Sequence, residues 1–334
     1  MYDKSISLRT NGYDPFIDFL KAYSIICVVL AHCLPQAFRF YTLFAIWGDM
    51  QVPMFILIQV FHAYKNGTAP VIKRDSLLNR IIIPFFIVQA IIVFYKLLFS
   101  GGTPYDVIIS SVLRGGGGGP GSYYFWIYLQ IAFALVILWP LVKRFSHNQL
   151  TFFFVALSIG FEILFSIIHL PDSIYRLLAV RYLFLIPLAQ LWINDGVVLN
   201  KKNVILSLLS IGAVLFFAYN RFDLEPLFFN TGWSYHRWPC YYYLPILLTY
   251  LLWTVYKRIN NYSIASSVIR VIATSSYEIY LIQMVVFSLI TNDLFLFIRN
   301  GYLRLFIWIA TTFSLSIVGG ILYRRLIDKY RIKK

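Results

Sequence analysis

Runs of about 20 apolar residues recur along the whole chain and are separated by short polar segments. A helix of about 20 residues can cross the hydrocarbon core of a bilayer, and a backbone in lipid must satisfy its own hydrogen bonds. The sequence therefore predicts an all-α, polytopic membrane helix bundle that forms a single domain over residues 1–334. Ten spans are predicted, at roughly 16–36, 41–63, 81–99, 123–142, 150–170, 177–193, 204–220, 239–256, 272–291 and 303–322.

Composition and charge agree with a membrane protein. Of 334 residues, 60% are hydrophobic and 13% charged, whereas soluble domains are nearer half apolar and a quarter charged. The net charge of +15 does not indicate nucleic-acid binding, because the basic residues form short clusters between apolar runs. Such clusters mark cytoplasmic loops, and roughly two thirds of the Lys and Arg residues fall on the side of the N-terminus. With an even number of spans, both termini are predicted to be cytoplasmic.

The first span carries ionisable residues along one face. At about 100° per residue, Asp18, Lys21, Ile25, Val28 and His32 fall on a single stripe. Lys21 and His32 are separated by about 16 Å along the axis. Ionisable groups inside a span face the bundle interior or a wet cavity, and they are candidates for function. We expect Asp18 to pair with Lys21, one turn away.

Other polar residues also interrupt apolar runs. Glu162 and Arg181 lie in neighbouring predicted spans, and their pairing could serve either as a structural clasp or in an acceptor or catalytic role. An outer loop carries His236, Arg237 and Trp238, which fit an interfacial aromatic belt or a sugar-binding surface equally well. The three cysteines have no metal-ligand spacing, and no metal site is predicted.

A glycine-rich segment occupies another outer loop. Residues 114–121 read Arg-Gly-Gly-Gly-Gly-Gly-Pro-Gly. A phosphate-binding loop would require a following Gly-Lys-Ser or Gly-Lys-Thr, which is absent here. We therefore interpret this segment as a flexible outer turn.

The first span resembles the N-terminal signature of the membrane-bound acyltransferase-3 family. That signature is an Asp, then Leu-Arg or Leu-Lys, then a His ten intervening residues after the basic one. Here the elements are Asp18, Leu20-Lys21 and His32.

Further segments are similar to that family in the same order. The resemblance includes residues 47–55, 80–84, 124–126 and 275–283, so it covers nearly the whole chain. The sequence departs from the family pattern at three places. Gln59-Val60-Phe61 stands where the family usually has Ser-Gly-Phe, Leu77 stands where the basic loop before the third span usually has its first Arg, and Gln283 replaces the usual C-terminal His.

The resemblance implies transfer of an acyl group, usually acetyl, from cytoplasmic acyl-CoA to a carbohydrate hydroxyl on or beyond the outer face of the membrane. It also implies a multi-pass protein of the bacterial inner membrane, with polysaccharide or lipid-linked sugar as acceptor and polysaccharide assembly machinery as a partner. A neutral imidazole suits a general base, so His32 is expected to activate the hydroxyl, with a transient acyl-imidazole as the alternative.

The remaining site residues are predicted from this reaction. Phosphates of CoA are expected to contact four basic residues: Lys21, Lys73, Arg74 and Arg80. Glu162 or Gln283 is expected to orient the imidazole of His32. Gln283 is also assigned to the acceptor side, together with Arg181, His236, Arg237 and Trp238.

A transporter or polysaccharide flippase is the main alternative function, because such proteins also bury polar groups in a helical bundle. Against this alternative, the sequence shows neither an inverted repeat nor paired spans broken by Gly or Pro. A non-catalytic scaffold for a polysaccharide synthase is a further alternative.

Overall fold

The structure, a computed structural model, describes residues 14–99, 103–112, 119–195, 201–219 and 244–331. In these ranges the regular secondary structure is helical and there is no β-strand, which confirms the predicted all-α class. The helices are α1 (Pro15–Cys33), α2 (Gln36–Tyr41), α3 (Phe44–Trp47), α4 (Gln51–Tyr64), α5 (Arg74–Leu77), α6 (Ile83–Phe99), α7 (Pro104–Val112), α8 (Tyr123–Arg144), α9 (His147–Ile167), α10 (Asp172–Tyr175), α11 (Leu185–Asp195), α12 (Lys201–Tyr219), α13 (Leu244–Ile259), α14 (Ser263–Thr274), α15 (Ser276–Leu289) and α16 (Gly301–Arg331). A π-helical turn, Leu78–Ile82, joins α5 to α6.

Several helices are long and apolar enough to cross a membrane. In the ranges given above there are six: Pro15–Cys33, Phe44–Tyr64, Arg74–Phe99, Tyr123–Arg144, His147–Phe165 and Gly301–Lys329. The pair α14 and α15 adds a seventh if it is counted as one bent span. Shorter apolar helices at Val180–Ile193 and Asn203–Leu215 overlap two more predicted spans. The protein is thus a multi-pass helical bundle, while the count of ten spans and the cytoplasmic termini stay predictions.

Helix α1 has well-defined ends. Asp14 caps its start, because the Oδ1 atom of Asp14 accepts a hydrogen bond from the backbone N–H of Phe16 at 2.9 Å. Pro15 suits the first helical position, where no N–H is needed. The helix stops at Cys33, since Pro35 favours an extended conformation at Leu34.

Helix α1 lies at the centre of the bundle and contributes to two apolar clusters. Phe16 and Leu20 pack in the first cluster, with residues of α4, α8, α11 and α13. Ile25 and Val29 pack in the second cluster, with residues of α6, α8 and α15. Because both sides of α1 are covered by protein, its polar stripe has no lipid to avoid and can border an internal space.

Two of the predicted spans contain an interruption. The second, Phe44–Tyr64, is long and apolar enough to cross a membrane but consists of α3 and α4. Leu43, whose φ is 52°, precedes α3, and the backbone N–H groups of Gly48 and Asp49 both donate to the carbonyl of Phe44, which ends α3 before α4 begins. In the ninth span the axis bends by 67° between α14 and α15, so this span is a bent pair of helices.

An ion-pair network links the bend to the last helix. Glu278, in the first turn of α15, is 4% exposed. It accepts a hydrogen bond from Nη1 of Arg324 at 3.0 Å, and Nε of the same arginine contacts Asp328 at 2.8 Å. These contacts attach α15 to α16 at the end of α15 that lies next to the bend.

Candidate functional site

A cavity of about 460 Å³ is enclosed mainly by α1, α4, α8 and α15. Apolar residues, including Ile25, Val28 and Phe55, form much of its wall. Polar side chains gather at its two ends and along one side. This volume falls in the range of small-molecule binding sites, which combine apolar walls with a few placed polar groups.

The stripe on α1 forms one wall of this cavity. Lys21, Ile25, Val28 and His32 all line it, as does Ala31. The two ionisable residues are eleven positions apart, so they stand about 16 Å apart along the helix axis. Lys21 therefore marks one end of the cavity and His32 the other.

The fifth residue of the stripe lies elsewhere. Asp18 is 6% exposed and borders a separate cavity with Asn260 and Arg270. The carboxylate of Asp18 lies 3.5 Å from the ammonium of Lys21, which confirms the predicted contact between them. Asp18 does not line the main cavity, but it contacts Lys21, which does.

The imidazole of His32 meets the end of the glycine-rich segment. Gly121 has a φ of 83°, and a β-carbon on it would lie 3.8 Å from Nε2 of His32 and 3.5 Å from Nε2 of Gln283. The hydroxyl of Tyr280 donates to the carbonyl of Gly121 at 3.0 Å and holds the loop in place. The ring of Phe287 lies 6.0 Å from that of His32. His32, Gly121 and Gln283 therefore lie close together around one small space.

Gln283 is buried without hydrogen-bond partners. Its exposed fraction is 0%, and within the described ranges neither atom of its amide has a donor or acceptor. Buried polar groups are nearly always paired, and leaving one unpaired costs about 1–3 kcal/mol. Gln283 does not itself line the cavity and lies behind Gly121, which does, so its unpaired amide is a candidate group directly behind the wall next to His32.

An ion pair sits at the same end of the cavity. Arg39 donates from Nη2 to both carboxylate oxygens of Asp49, at 3.0 and 3.3 Å. Its Nη1 atom donates to the carbonyl of Ala31, the residue before His32. Arg39, Asp49 and Gln51 all line the cavity. The short helices α2 and α3 thus hold a charged pair beside the candidate base.

The Lys21 end is open to several further polar groups. His62 from α4 and Ser276 from the start of α15 line the cavity there, together with Ile81 from the π-helical turn. Arg80 is adjacent to Ile81 in sequence and is exposed. Lys73 and Arg74 are also exposed, shortly before this turn. These three basic residues do not line the cavity, although the segment that carries them forms part of its rim.

Tyrosines form the side of the cavity opposite α1. The ring of Tyr124 lies 5.6 Å from that of Tyr280 and 6.4 Å from that of Tyr128. The hydroxyl of Tyr277 donates to the carbonyl of Ile81 at 2.6 Å, which ties α15 to the start of α6. The side chain of Gln59 donates to the carbonyl of Tyr128 at 3.0 Å. These contacts fix a wall of aromatic rings between the two polar ends.

The remaining predicted site residues lie outside the cavity wall or outside the described part of the chain. Arg181 is buried, and its Nη2 atom donates to the hydroxyl of Tyr182 at 2.8 Å. Its guanidinium lies 6.0 Å from the ring of Tyr123, a cavity residue, so Arg181 is behind the wall. Glu162 belongs to α9, but its side chain is outside the described set, so the Glu162–Arg181 pair stays a prediction. The residues of the outer loop, His236, Arg237 and Trp238, also lie outside the described ranges.

Among the residues that the structure describes, no three His, Cys, Asp or Glu side chains are placed to hold a metal ion.

Sequence reasoning missed three features of the site. Arg39 and Asp49 are oppositely charged residues on either side of the apolar start of the second span, and this pattern was a usable signal for a pair. Gln51 interrupts the apolar sequence that follows. The contact of Gly121 with His32 had no signal, because it depends on how a loop folds back onto α1 and α15.

Comparison with known proteins identifies a family. A family model described as an acyltransferase domain matches residues 14–325, which is nearly the whole chain. Searches of curated proteins and of solved structures found no match. The matched region includes α1, the cavity and most of α16. The chain therefore belongs to the acyltransferase-3 family of membrane acyltransferases.

Proposed function

We propose that this protein moves an acyl group, in the first instance acetyl, from acyl-CoA to a hydroxyl of a cell-surface or exported carbohydrate. The observation that carries the proposal is that one cavity is lined by Lys21 at one end and His32 at the other. Family membership supports acyl transfer as the reaction. The polar ends and the apolar middle of the cavity suit a donor with a charged head and a flexible, less polar arm.

The donor enters at the Lys21 end in this proposal. Lysine and arginine are suited to bind phosphate groups, and Lys73, Arg74 and Arg80 lie on the exposed segment that leads to Ile81 at the rim. The pantetheine arm would then follow Ile25 and Val28 toward His32. The separation of about 16 Å along α1 is the distance that the arm must bridge.

At the other end, His32 acts as the general base. The oxygen of the acceptor hydroxyl attacks the thioester carbonyl carbon while its proton moves to the imidazole. The bond from carbon to sulfur then breaks, and the CoA thiolate takes the proton from the imidazolium. The products are an ester of the carbohydrate and free CoA.

Gln283 serves the same step. Its amide N–H lies beside the point shared with His32 and Gly121, and it has no protein acceptor in the described ranges. The carbonyl oxygen of the thioester becomes negatively charged as the hydroxyl attacks. A placed amide donor stabilises such an oxygen, and a single donor of this kind changes rates by about a hundredfold or more.

Other predicted groups have more distant parts in this proposal. Arg181 holds Tyr123 in the cavity wall, and Glu162 is its proposed partner. The loop that contains His236, Arg237 and Trp238 would contact the acceptor outside the membrane. The bacterial inner membrane is the proposed location, with polysaccharide assembly machinery as the proposed source of acceptor.

The proposal is tested by assaying purified protein in detergent with labelled acetyl-CoA and a panel of envelope carbohydrates. Wild-type protein should release CoA only when an acceptor is present. His32→Ala should lower this release by about a hundredfold or more, since a general base contributes 10²–10⁴. His169→Asn is the control, because His169 is exposed and has a φ of 50°, which Asn tolerates. Acceptor-dependent release by the His32 variant at the wild-type rate would contradict the proposal, and a transporter would release no CoA.

A further inference from the structure

The polar groups beside His32 divide into two sets with different properties. Gln283 lies on the α15 side of the imidazole, at the point it shares with Gly121. Arg39, Asp49 and Gln51 come from different elements, namely α2, the break before α4 and the first residue of α4. The second set has no part in the donor path described above, since that path runs along α1 from Lys21.

The charges of the Arg39–Asp49 pair cancel locally. Asp49 is 9% exposed, and both of its carboxylate oxygens accept hydrogen bonds from Nη2 of Arg39. A guanidinium that is matched by a carboxylate in this way has little attraction left for an anion. An acidic ligand would also be repelled by Asp49, because like charges oppose each other strongly where water is excluded. The nearest cation on the α1 stripe, Lys21, is at the far end of the cavity.

Unpaired polar atoms accompany this pair. Gln51 is 8% exposed, and its Oε1 atom is buried with no hydrogen-bond donor among the described residues. The Nε atom of Arg39 is also buried without an acceptor in the same ranges. Gln51 thus offers an acceptor and Arg39 a donor. A hydroxyl group both donates and accepts, so it satisfies both requirements, which neither a carboxylate nor an ammonium group does.

The position of this set relative to His32 is fixed by the backbone. Arg39 donates to the carbonyl of Ala31, one residue before His32. Asp49 is held by its own N–H, which donates to the carbonyl of Phe44 at 3.0 Å. Gln51 opens α4 two residues later. A group bound here is therefore held at a set distance from the base.

We propose that Arg39, Asp49 and Gln51 form the acceptor subsite, and that this subsite selects neutral carbohydrate hydroxyls over acidic sugars. The inference rests on the proposed function, because it assigns the acceptor of that same reaction to a place in the cavity. Arg39 and Asp49 together hold neighbouring hydroxyls of the sugar, and Gln51 accepts a hydrogen bond from one of them. Because the pair of Arg39 and Asp49 carries no net charge, the subsite prefers neutral sugars to acidic ones.

The experiment compares acceptors that differ in one charge. Initial rates of transfer from labelled acetyl-CoA are measured for a panel of neutral hexosides and for the corresponding uronic acids. Wild type should prefer the neutral sugars. Asp49→Asn should raise the acceptor KM about fivefold or more and lower the neutral-to-acidic ratio of kcat/KM about tenfold, which corresponds to about 1.4 kcal/mol. The KM for acetyl-CoA should not change.

Matched controls separate the subsite from general damage. The control for Asp49→Asn is Asp328→Asn, which removes a carboxylate that pairs with an arginine on α16, away from the cavity. Gln51→Leu should raise the acceptor KM and leave the charge preference as in wild type. Its control is Gln190→Leu, because Gln190 also has a buried, unpaired Oε1 in the described ranges and does not line the cavity. Both controls should behave as wild type.

Two designs keep the test decisive. If Asp49→Asn fails to accumulate because Arg39 is left unpaired, the double variant Arg39→Gln/Asp49→Asn removes both charges and leaves the subsite neutral, so it should raise the acceptor KM about fivefold or more and keep the preference for neutral sugars. An unchanged neutral-to-acidic ratio in the folded single variant, an unchanged acceptor KM in the double variant, or a change confined to the donor KM would overturn the subsite. Failure of wild type to transfer to any sugar would instead overturn the proposed function.

Discussion

At the scale of single residues, the arrangement around His32 depends on Gly121, whose contact had no signal in the sequence, and on Gln283, which was predicted from the sequence to lie near His32. Gly121 has a φ of 83°, which strains any residue with a side chain, and a β-carbon there would take up the space beside His32 and Gln283. Gln283 occupies the position of the family's usual histidine, and the structure shows its amide buried and unpaired in the described ranges. A chain with glutamine here therefore keeps a hydrogen-bonding group near the base but has no second imidazole.

Gly121→Ala should inactivate the protein without unfolding it. The added methyl group would enter the space shared by His32, Gln283 and Tyr280, while its left-handed backbone conformation costs about 1–2 kcal/mol. Gly67→Ala is a matched control, since Gly67 has a φ of 65° and no neighbouring atom within 4 Å of an added β-carbon.

Thermal unfolding in detergent and acceptor-dependent CoA release check this prediction. Both variants should lose a similar small amount of stability, and only Gly121→Ala should lose most of its transfer activity. Equal activities of the two variants would show that the space beside His32 is not used by the reacting groups.

At the scale of elements, the helical periodicity of α1 was readable from sequence. The spacing of Lys21, Ile25, Val28 and His32 predicted a common face, and the structure places all four on one cavity wall. Asp18 was predicted to lie on the same face, but in the structure it borders another cavity near the start of the helix. The breaks before α4 and between α14 and α15 were not readable, because neither is marked by proline and both depend on tertiary contacts. Arg39 and Asp49 were missed as a pair although their opposite charges on either side of an apolar segment were a usable signal.

The ion pair between α15 and α16 gives a stability prediction. Arg324→Ala should destabilise the protein by about 2–3 kcal/mol, because it leaves Glu278 buried and without its partner. This figure is lower than for a fully buried pair, since the side chain of Arg324 is 28% exposed. Asp328→Asn removes the more exposed partner of the same arginine and should cost no more than about 1 kcal/mol. Thermal unfolding in detergent measures both, and equal losses would contradict a specific role for Glu278.

The basic segment before α6 gives a kinetic prediction. Arg80→Ala should raise the KM for acetyl-CoA several-fold and leave the acceptor KM unchanged, because the segment forms the rim at the Lys21 end. Arg299→Ala is a control of equal charge, since Arg299 is exposed and does not line the cavity. Initial-rate measurements with each substrate varied in turn distinguish the two. If the donor KM of the Arg80 variant equals that of wild type, Arg80 has no part in donor binding.

At the scale of the whole molecule, composition and the recurrence of apolar runs established an all-helical membrane protein, which the structure confirms. The boundaries of most predicted spans agree with helices because hydropathy follows helix length closely. The internal cavity was not predictable as a volume, since it depends on how α1, α4, α8 and α15 pack. The polar face of α1 was the one sequence feature that indicated an internal space in the bundle.

The central claim is that one cavity brings a donor from one face of the membrane to an acceptor from the other. Proteoliposomes with labelled acetyl-CoA outside and an impermeant carbohydrate acceptor sealed inside test this claim most directly. Wild-type protein inserted in both orientations should form labelled ester inside the vesicles, and His32→Ala protein should form none. Formation of ester only when donor and acceptor share one compartment would contradict the claim.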